Sequence, residues 1–145
     1  MILCDGNVWL ALALSGHAHH PAAADWLETV DEPDAIRFCR ATQQTYLRLL
    51  TNAAVLAPYG NRPLTNDEAW AAYDAFLEDD RVTFQRAEPA ELESIWHRFA
   101  RAETASPKLW MDAYLAAFAY GSGFTMVTTD AAFRQFDGLD LLILS

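Results

Sequence analysis

The chain has 145 residues, 52% of them hydrophobic and 12% aromatic, so it can bury one core and is not a disordered chain. Its formal net charge is −10, which argues against a broad surface that binds nucleic acid through clustered Lys and Arg. This charge does not exclude a nuclease, because bound metal ions reverse the sign of an acidic pocket.

In chain order, the first half has a predicted strand at residues 1–4, helices at 7–14 and 22–30, a strand at 35–39, a helix at 42–51 and a loop at 56–63. The second half has a predicted helix at 65–78, a strand at 81–85, helices at 89–101 and 109–120, a strand at 124–128, a helical turn at 131–136 and a strand at 141–144. Thr65 and Glu68 match a capping box, and Gly16, Gly121 and Gly123 are predicted helix stops. The alternation predicts one domain, residues 1–145, with an α/β fold: three α/β/α layers around a central, mainly parallel sheet.

No apolar stretch approaches the ~20 residues of a membrane span, so no membrane association is expected. Asp5 interrupts the apolar start, and no basic residue precedes it, so we expect no signal peptide and a cytoplasmic location. Cys4 and Cys39 lie in predicted buried strands and are interpreted as free core thiols. A disulfide between them, possible if the two strands are neighbours, is the less favoured alternative.

Three aspartates lie where a metal site would require them. Asp5 ends the first strand, Asp130 ends the run 124–129, and Asp112 lies near the start of the helix at 109–120. Residues just past the carboxyl ends of parallel strands share one edge of the sheet, so these carboxylates are expected to converge. Converging carboxylates repel one another unless a cation neutralises them, and an oxygen-only cluster suits Mg²⁺ or Mn²⁺. The sequence therefore indicates metal-assisted phosphoryl chemistry.

Each aspartate also has a purely structural interpretation. Asp5 and Asp130 precede helical segments and are suited to capping them. Asp112 in the first turn of its helix gains from the helix dipole. That helix is apolar almost all round, however, and an acid in an otherwise buried helix favours a functional role.

The motifs resemble those of a known family. Residues 3–10 (LCDGNVWL) resemble the opening of a PIN domain, residues 110–119 (WMDAYLAAFA) its helix with the third acid, and residues 127–133 (VTTDAAF) its closing acid motif. Residues 20–27 (HPAAADWL) and 42–52 (TQQTYLRLLTN) are similar to segments of one subgroup, the VapC toxins of toxin–antitoxin pairs. The resemblance covers nearly the whole chain, with the motifs in order.

The resemblance implies a PIN-like domain and a metal-dependent endoribonuclease toxin that cleaves RNA, such as tRNA or rRNA, and thereby inhibits translation. Asp5, Asp112 and Asp130 would hold Mg²⁺ or Mn²⁺, which would activate water for in-line attack. The implied partners are a VapB-like antitoxin, the RNA substrate and a second copy of the chain in a homodimer. Asn7 would support the site by holding Asp5 or a water, with capping of the first helix as its alternative, and Thr129 offers a hydroxyl near the phosphate.

One position departs from the family pattern, which has a glutamate on the helix after the second strand. The corresponding stretch contains Gln43, Gln44 and Thr45. We assign Gln43 to that position, with Thr45 as the alternative register; Asp137 or Asp140 would be a further carboxylate without a matching motif. An amide carries no charge and accepts no proton, so a catalytically weakened PIN-like module that binds RNA or antitoxin without turnover is the alternative function.

Other interpretations are weaker. A phosphate-receiver domain needs paired acids after the first strand and a lysine that ends a late strand, and the only lysine, Lys108, begins a helix instead. A zinc site would need four spaced ligands, which the histidine cluster at 17–20 does not provide. Arg48 is either a solvated arginine or a contact to RNA or a partner. The apolar stripe 70–77 is either core or part of an antitoxin cleft.

Overall fold

Five short strands form the centre of the computed structural model, which describes residues 1–145. The strands are β1 Ile2–Cys4, β2 Ile36–Phe38, β3 Val82–Phe84, β4 Thr125–Thr128 and β5 Leu141–Ile143. The helices are α1 Gly6–Ala13, α2 His20–Glu28, α3 Arg40–Leu50, α4 Ala53–Leu56, α5 Asn66–Leu77, α6 Leu92–Phe99 and α7 Leu109–Ser122, with 3-10 turns at Ala57–Tyr59 and Ala131–Gln135. Every strand pair is parallel, so the predicted three-layer α/β/α fold is confirmed, with a sheet that is parallel throughout.

The order of the strands creates a crevice at one edge of the sheet. Across the sheet the order is β3-β2-β1-β4-β5, so the chain runs outward from β1 to β3 and then returns to the other side of β1 for β4. This reversal leaves a gap outside the carboxyl ends of β1 and β4, because the connections on either side lie on opposite faces of the sheet. Ligands of open α/β sheets bind in such gaps.

Apolar side chains form two clusters, one on each face of the sheet. Neighbouring residues alternate between them, with Leu3 in one and Cys4 in the other. The cluster beneath α1 to α5 contains Trp9 stacked on Phe38, with ring centroids 3.8 Å apart. The cluster beneath α6 and α7 contains the fully buried Phe118. The sheet is therefore covered on both faces, as parallel sheets require.

The two cysteines lie on opposite faces of this sheet. Cys4 belongs to the first cluster and Cys39, which precedes α3, belongs to the second. Both are free and buried, so the interpretation as core thiols is confirmed and the disulfide alternative is wrong.

Most predicted helix boundaries agree with the structure within a few residues. The capping box is confirmed, since the Glu68 amide donates to Oγ1 of Thr65 at 3.1 Å and the Thr65 amide donates to Oε1 of Glu68 at 3.0 Å. The helix α4 was not predicted; Asn52 caps it by accepting the amide hydrogens of Ala54 and Val55. Asparagine favours this position because its side-chain oxygen can accept the free amide hydrogens at the start of a helix.

Two glycine predictions fail for different reasons. Gly121 does not end α7 but lies within its last turn, where an added Cβ would come 3.0 Å from the side chain of Pro89. Gly123 ends the helix as predicted, with a φ of 69°. Gly16 lies beyond α1, which already ends at Ala13. Close packing, not helix termination, therefore requires the glycine at position 121.

The helix α7 is buried only in part. Its middle, Ala113 and residues 115–119, is buried as predicted. Its first turn is not, because Trp110 is 60% exposed and Met111 is 45% exposed. The first turn of α7 thus projects from the core at the edge where β1 and β4 end.

None of the helices is both long and apolar enough to span a bilayer.

Candidate active site

The structure brings the ends of β1 and β4 together. Cys4 is paired with Val127 in the sheet, and the Asp5 amide donates to the Val127 carbonyl oxygen at 2.9 Å. Asp5 and Thr128 are the next residues of the two strands and therefore lie side by side. Asp130 follows two residues after Thr128 at the same edge. The two strand-end aspartates thus flank the crevice between β1 and β4.

The Asp5 side chain contacts the neighbouring strand, not the helix that follows it. It occupies the capping position of α1 but accepts no hydrogen bond there through its side chain. Instead its Oδ2 accepts the hydroxyl hydrogen of Thr128 at 2.9 Å, and the residue is only 9% exposed. The capping interpretation of Asp5 is therefore wrong for the side chain. A buried carboxylate without a capping role needs another reason to be there.

Thr128 joins two of the aspartates, a role that the sequence did not reveal. Its hydroxyl group donates a hydrogen bond to Oδ2 of Asp5, and its hydroxyl oxygen accepts the backbone amide hydrogen of Asp130 at 3.0 Å. The residue is fully buried at the end of β4. Thr129, the predicted supporting residue, is half-buried, and its hydroxyl makes no hydrogen bond. Burial at a strand end is the signal that could have singled out Thr128.

Lys108, the only lysine, lies at the same site. Its Nζ is 2.8 Å from Oδ2 of Asp130 and 3.3 Å from Oδ2 of Asp112, one helical turn further along. Asp130 also accepts the Ala132 amide hydrogen at 2.9 Å, so its predicted capping role is confirmed together with the ion pair. The i, i+4 spacing of Lys108 and Asp112 was visible in the sequence, whereas the contact with Asp130 depends on the fold.

These contacts set the ionisation of the site. Burial raises the pKa of Asp5, the charges of Asp112 and Asp130 raise it further, and the Thr128 hydrogen bond opposes them. Burial also raises the pKa of Asp112, against the attraction of Lys108. The Lys108 ammonium, with the Ala132 amide, lowers the pKa of Asp130. The carboxylates therefore share one electrostatic environment in which proton affinity is highest at the more buried positions.

The donor types at this site, though not their present spacing, fit a hard divalent cation. In this arrangement no three carboxylate, imidazole or thiolate groups surround one point closely enough to hold an ion. Two carboxylates nevertheless already hold one cationic group, the Lys108 ammonium, and that side chain is 72% exposed and free to move outward. Carboxylate and hydroxyl oxygens are the donors that Mg²⁺ and Mn²⁺ prefer.

The predicted supporting residues on α1 and α3 have other contacts. Asn7 is exposed inside α1, so neither its predicted bond to Asp5 nor the capping role is present. Oε1 of the buried Gln43 accepts a hydrogen bond from Nη1 of Arg40 at 2.6 Å. Thr45, the alternative register, packs against the residue that follows Asp5: a Cβ added to Gly6 would lie 2.5 Å from Cγ2 of Thr45.

Other candidate groups lie elsewhere. Oδ2 of Asp140 accepts the hydroxyl hydrogen of Thr125 at 2.8 Å, at the amino end of β4 and hence at the opposite edge of the sheet. The histidines make local contacts: Nδ1 of His17 accepts the His19 amide hydrogen at 3.0 Å, and Nδ1 of His20 is 2.7 Å from the Ala11 carbonyl oxygen.

Comparison with known proteins agrees with this geometry. A family model described as the PIN domain matches residues 2–139. Ribonuclease VapC41 of Mycobacterium tuberculosis (strain ATCC 25618 / H37Rv) is 60% identical over 145 residues, which cover 100% of this chain and 99% of that protein.

Two solved structures share the fold of this chain. Mycobacterium tuberculosis VapC20, a sarcin–ricin loop cleaving toxin, has a TM-score of 0.68 and 18% identity over 97% of this chain and 98% of its own. VapBC2 from Rickettsia felis, bound to a DNA fragment from their promoter, has a TM-score of 0.66 and 15% identity over 100% of both chains. The fold likeness therefore extends beyond the proteins with similar sequences.

Proposed function

We propose a metal-assisted cleavage of RNA phosphodiesters for this chain, which belongs to the PIN-domain family and, within it, to the VapC ribonucleases. One observation carries the proposal: carboxylates from the end of β1, the first turn of α7 and the end of β4 are linked through Thr128 and Lys108 at the crevice of the sheet. VapC proteins are endoribonucleases, and clustered carboxylates of this kind are what a metal-dependent nuclease uses to hold its ion.

Asp5, Asp112 and Asp130 would hold Mg²⁺ or Mn²⁺. When bound, such an ion polarises a phosphoryl oxygen, lowers the pKa of water and neutralises charge in the transition state. The identity of the donors supports a hard cation, and a bound ion would reduce the repulsion between the carboxylates of this acidic chain, whose net charge is −10, and an anionic RNA.

The residues of the chain have distinct tasks in this reaction. The Thr128 hydroxyl holds Asp5 in one orientation, and the Ala132 amide holds Asp130. Asp112 has no hydrogen bond to the backbone and its side chain is 17% exposed, so we propose that it accepts the proton of the attacking water. The water oxygen then bonds to phosphorus as the bond between phosphorus and the 3′-oxygen breaks, and the 3′-oxygen takes a proton from the solvent. The products are a 5′-phosphate and a 3′-hydroxyl.

The biological setting follows from the family. We propose that the RNA substrate is a structured cellular RNA, tRNA or rRNA, and that its cleavage in the cytoplasm inhibits translation. VapBC2 of Rickettsia felis is solved as a toxin–antitoxin pair, which supports a VapB-type antitoxin as the partner of this chain. A homodimer is proposed on the same family grounds.

One observation favours a second candidate. The helix α3 contains no Asp or Glu, and Gln43 is bonded to Arg40 rather than to an aspartate. A PIN-like module that binds RNA or antitoxin without turnover is consistent with such a loss, because removal of an outer ligand weakens metal sites by roughly ten- to a hundredfold.

The test is cleavage of total cellular RNA by the purified protein with Mg²⁺, with Mn²⁺ and with EDTA. We expect discrete fragments that require metal and disappear in Asp5→Asn and Asp112→Asn, while circular dichroism shows that both variants fold. Asp140→Asn is the matched control, because this carboxylate lies at the other edge of the sheet. Folded wild-type protein that cleaves nothing with either metal would favour the binding-only module, and full activity of Asp5→Asn would overturn the proposed site.

A further inference from the structure

A groove lies beside the proposed active site, between the end of α6 and the first turn of α7. Its volume is about 400 Å³, within the range of small-molecule sites, and its lining includes His97, Arg101, Ser106, Pro107 and Trp110. None of its nine lining residues is acidic, although the chain has 20 Asp and Glu residues. The lining of the groove therefore contains no carboxylate, although the protein as a whole is acidic.

The groove offers a cation and an aromatic face. Arg101 is exposed and forms no ion pair or hydrogen bond. Trp110 is 60% exposed, and its backbone carbonyl oxygen accepts the indole hydrogen of Trp96 at 2.9 Å. The two indole rings meet edge to face, with centroids 6.2 Å apart and planes at 79°. The contacts with Trp96 hold the Trp110 ring in place while most of it remains open to solvent.

The groove and the carboxylates are connected by adjacent residues of the chain. Pro107 lines it, and the next residue, Lys108, contacts both Asp112 and Asp130. Adjacent Cα atoms are about 3.8 Å apart, so the groove wall at Pro107 lies next to the lysine that contacts both aspartates. An anionic polymer of flat bases fits a site with one arginine and one exposed indole, because bases stack on aromatic side chains and phosphates attract guanidinium groups.

Resting on the proposed ribonuclease activity, we propose that this groove binds the single-stranded RNA nucleotide next to the scissile phosphate. The base stacks on Trp110, and Arg101 pairs with the adjoining phosphate. The groove thus holds the RNA chain next to the carboxylates, whereas the negative charge on the rest of the protein surface repels RNA.

The test measures RNA binding without cleavage. The parent protein carries Asp5→Asn and is kept in EDTA, and the probes are fluorescein-labelled 12-nucleotide oligo(A) and oligo(U) RNAs, followed by fluorescence anisotropy. We expect Trp110→Ala to weaken binding by roughly tenfold and Trp110→Phe to keep most of the affinity. Trp70→Ala is the matched control: this tryptophan is 49% exposed on α5, away from the groove, and its loss should leave the Kd unchanged.

Arg101 supplies a second variant that removes no packing. Arg101→Gln should reduce the slope of log Kd against log salt concentration by about 0.7, the value of one phosphate contact on a single strand, and Arg101→Lys should retain it. A purely structural role of Arg101 would leave that slope unaltered.

Three outcomes would overturn the groove proposal. In the first, Trp110→Ala and Arg101→Gln bind RNA as tightly as the parent does. In the second, the parent binds neither RNA. In the third, the variants keep their RNA affinity and lose only the binding of the antitoxin, which would assign the groove to a protein segment. Cleavage by the wild-type protein is measured separately. Cleavage together with unchanged affinities would refute the groove alone, whereas groove-dependent binding without cleavage would refute the nuclease alone.

Discussion

The ammonium nitrogen of Lys108 lies 2.8 Å from Oδ2 of Asp130, so the chain itself supplies a positive charge at the edge of the crevice. The same nitrogen is 3.3 Å from Asp112. We therefore expect a divalent cation held by these two carboxylates to displace Lys108. Its side chain is 72% exposed, so displacement costs little packing.

Lys108→Met should accordingly increase the affinity for Mn²⁺ by roughly two- to fivefold, the range set by the ~0.5–1 kcal/mol of an exposed ion pair. In EDTA the same variant should melt at a lower temperature than wild type, because two neighbouring carboxylates lose their counter-ion. Isothermal titration calorimetry with Mn²⁺ and thermal unfolding measure the two effects. Lys108→Arg keeps the charge and should resemble wild type; an unchanged Mn²⁺ affinity in Lys108→Met would show that Lys108 and the ion do not compete.

Thr128→Val should damage both stability and cleavage. The substitution keeps the shape of the fully buried side chain but leaves the Asp5 carboxylate without its donor and the Asp130 amide without its acceptor. We expect the free energy of unfolding to fall by about 1–3 kcal/mol, the cost of unsatisfied buried polar groups. Urea unfolding checks this value. Thr128→Ser retains the hydroxyl and should keep cleavage, so equal activity of the Val and Ser variants would contradict the role assigned to that hydroxyl.

The pKa shift of Asp5 predicts how stability depends on pH without metal. Burial raises its pKa above the ordinary value of 3.8, so between the two values the folded chain holds a proton that the unfolded chain has lost. This contribution to stability is present in acid and is lost as the pH rises through the folded pKa. In EDTA, the melting temperature of Asp5→Asn relative to wild type should therefore rise from about pH 4 to about pH 7.

Asp79 provides a control of opposite sign for the pH series. Its hydrogen bonds with Arg81 lower its pKa, so its contribution is present above the ordinary value and is lost as the pH falls. The melting temperature of Asp79→Asn relative to wild type should therefore fall as the pH rises toward about 4, and should stay nearly level from about pH 4 to about pH 7. A flat difference for Asp5→Asn beside a sloping one for Asp79→Asn would mean that Asp5 is not perturbed by burial.

Glutamate substitutions on α3 distinguish the two registers of the missing acid. A glutamate at position 43 would meet Arg40, the present partner of Gln43, so we expect Gln43→Glu to change Mn²⁺ affinity little. Thr45 packs beside Gly6, directly after Asp5, and Thr45→Glu should raise that affinity by roughly tenfold. Gln44→Glu adds the same charge on the exposed side of α3 and serves as the control. A gain in Gln43→Glu alone would return the assignment to position 43.

Sequence reasoning was most successful where the signal is periodic. The apolar spacing predicted all five strands and six of the seven helices, because each element must bury one face against the sheet. The positions of Asp5 and Asp130 at strand ends were predicted for the same reason. The short helix α4 was missed, since its four residues, Ala53–Leu56, are too few to show a period.

The contacts of the site were predicted less well. Asn7 was expected to support Asp5, yet its side chain is exposed, because α1 already begins at Gly6 and turns position 7 outward. The first turn of α7 was expected to be buried, since Trp110 and Met111 are apolar, but the core ends before it. Composition predicts that a helix is buried but does not show where along its length the covering elements stop.

The residue types and their order established the layers, the parallel sheet and the three candidate carboxylates, because these depend on local periodicity and on the rule that strand ends share an edge. The tertiary structure decided which groups meet there. Thr128 joins Asp5 across 123 positions of the chain, and Lys108 reaches Asp130 across 22. Such contacts depend on the register of β1 against β4 and on the placement of α7 over the sheet. Both arise from packing of the whole core, so local sequence patterns do not predict them.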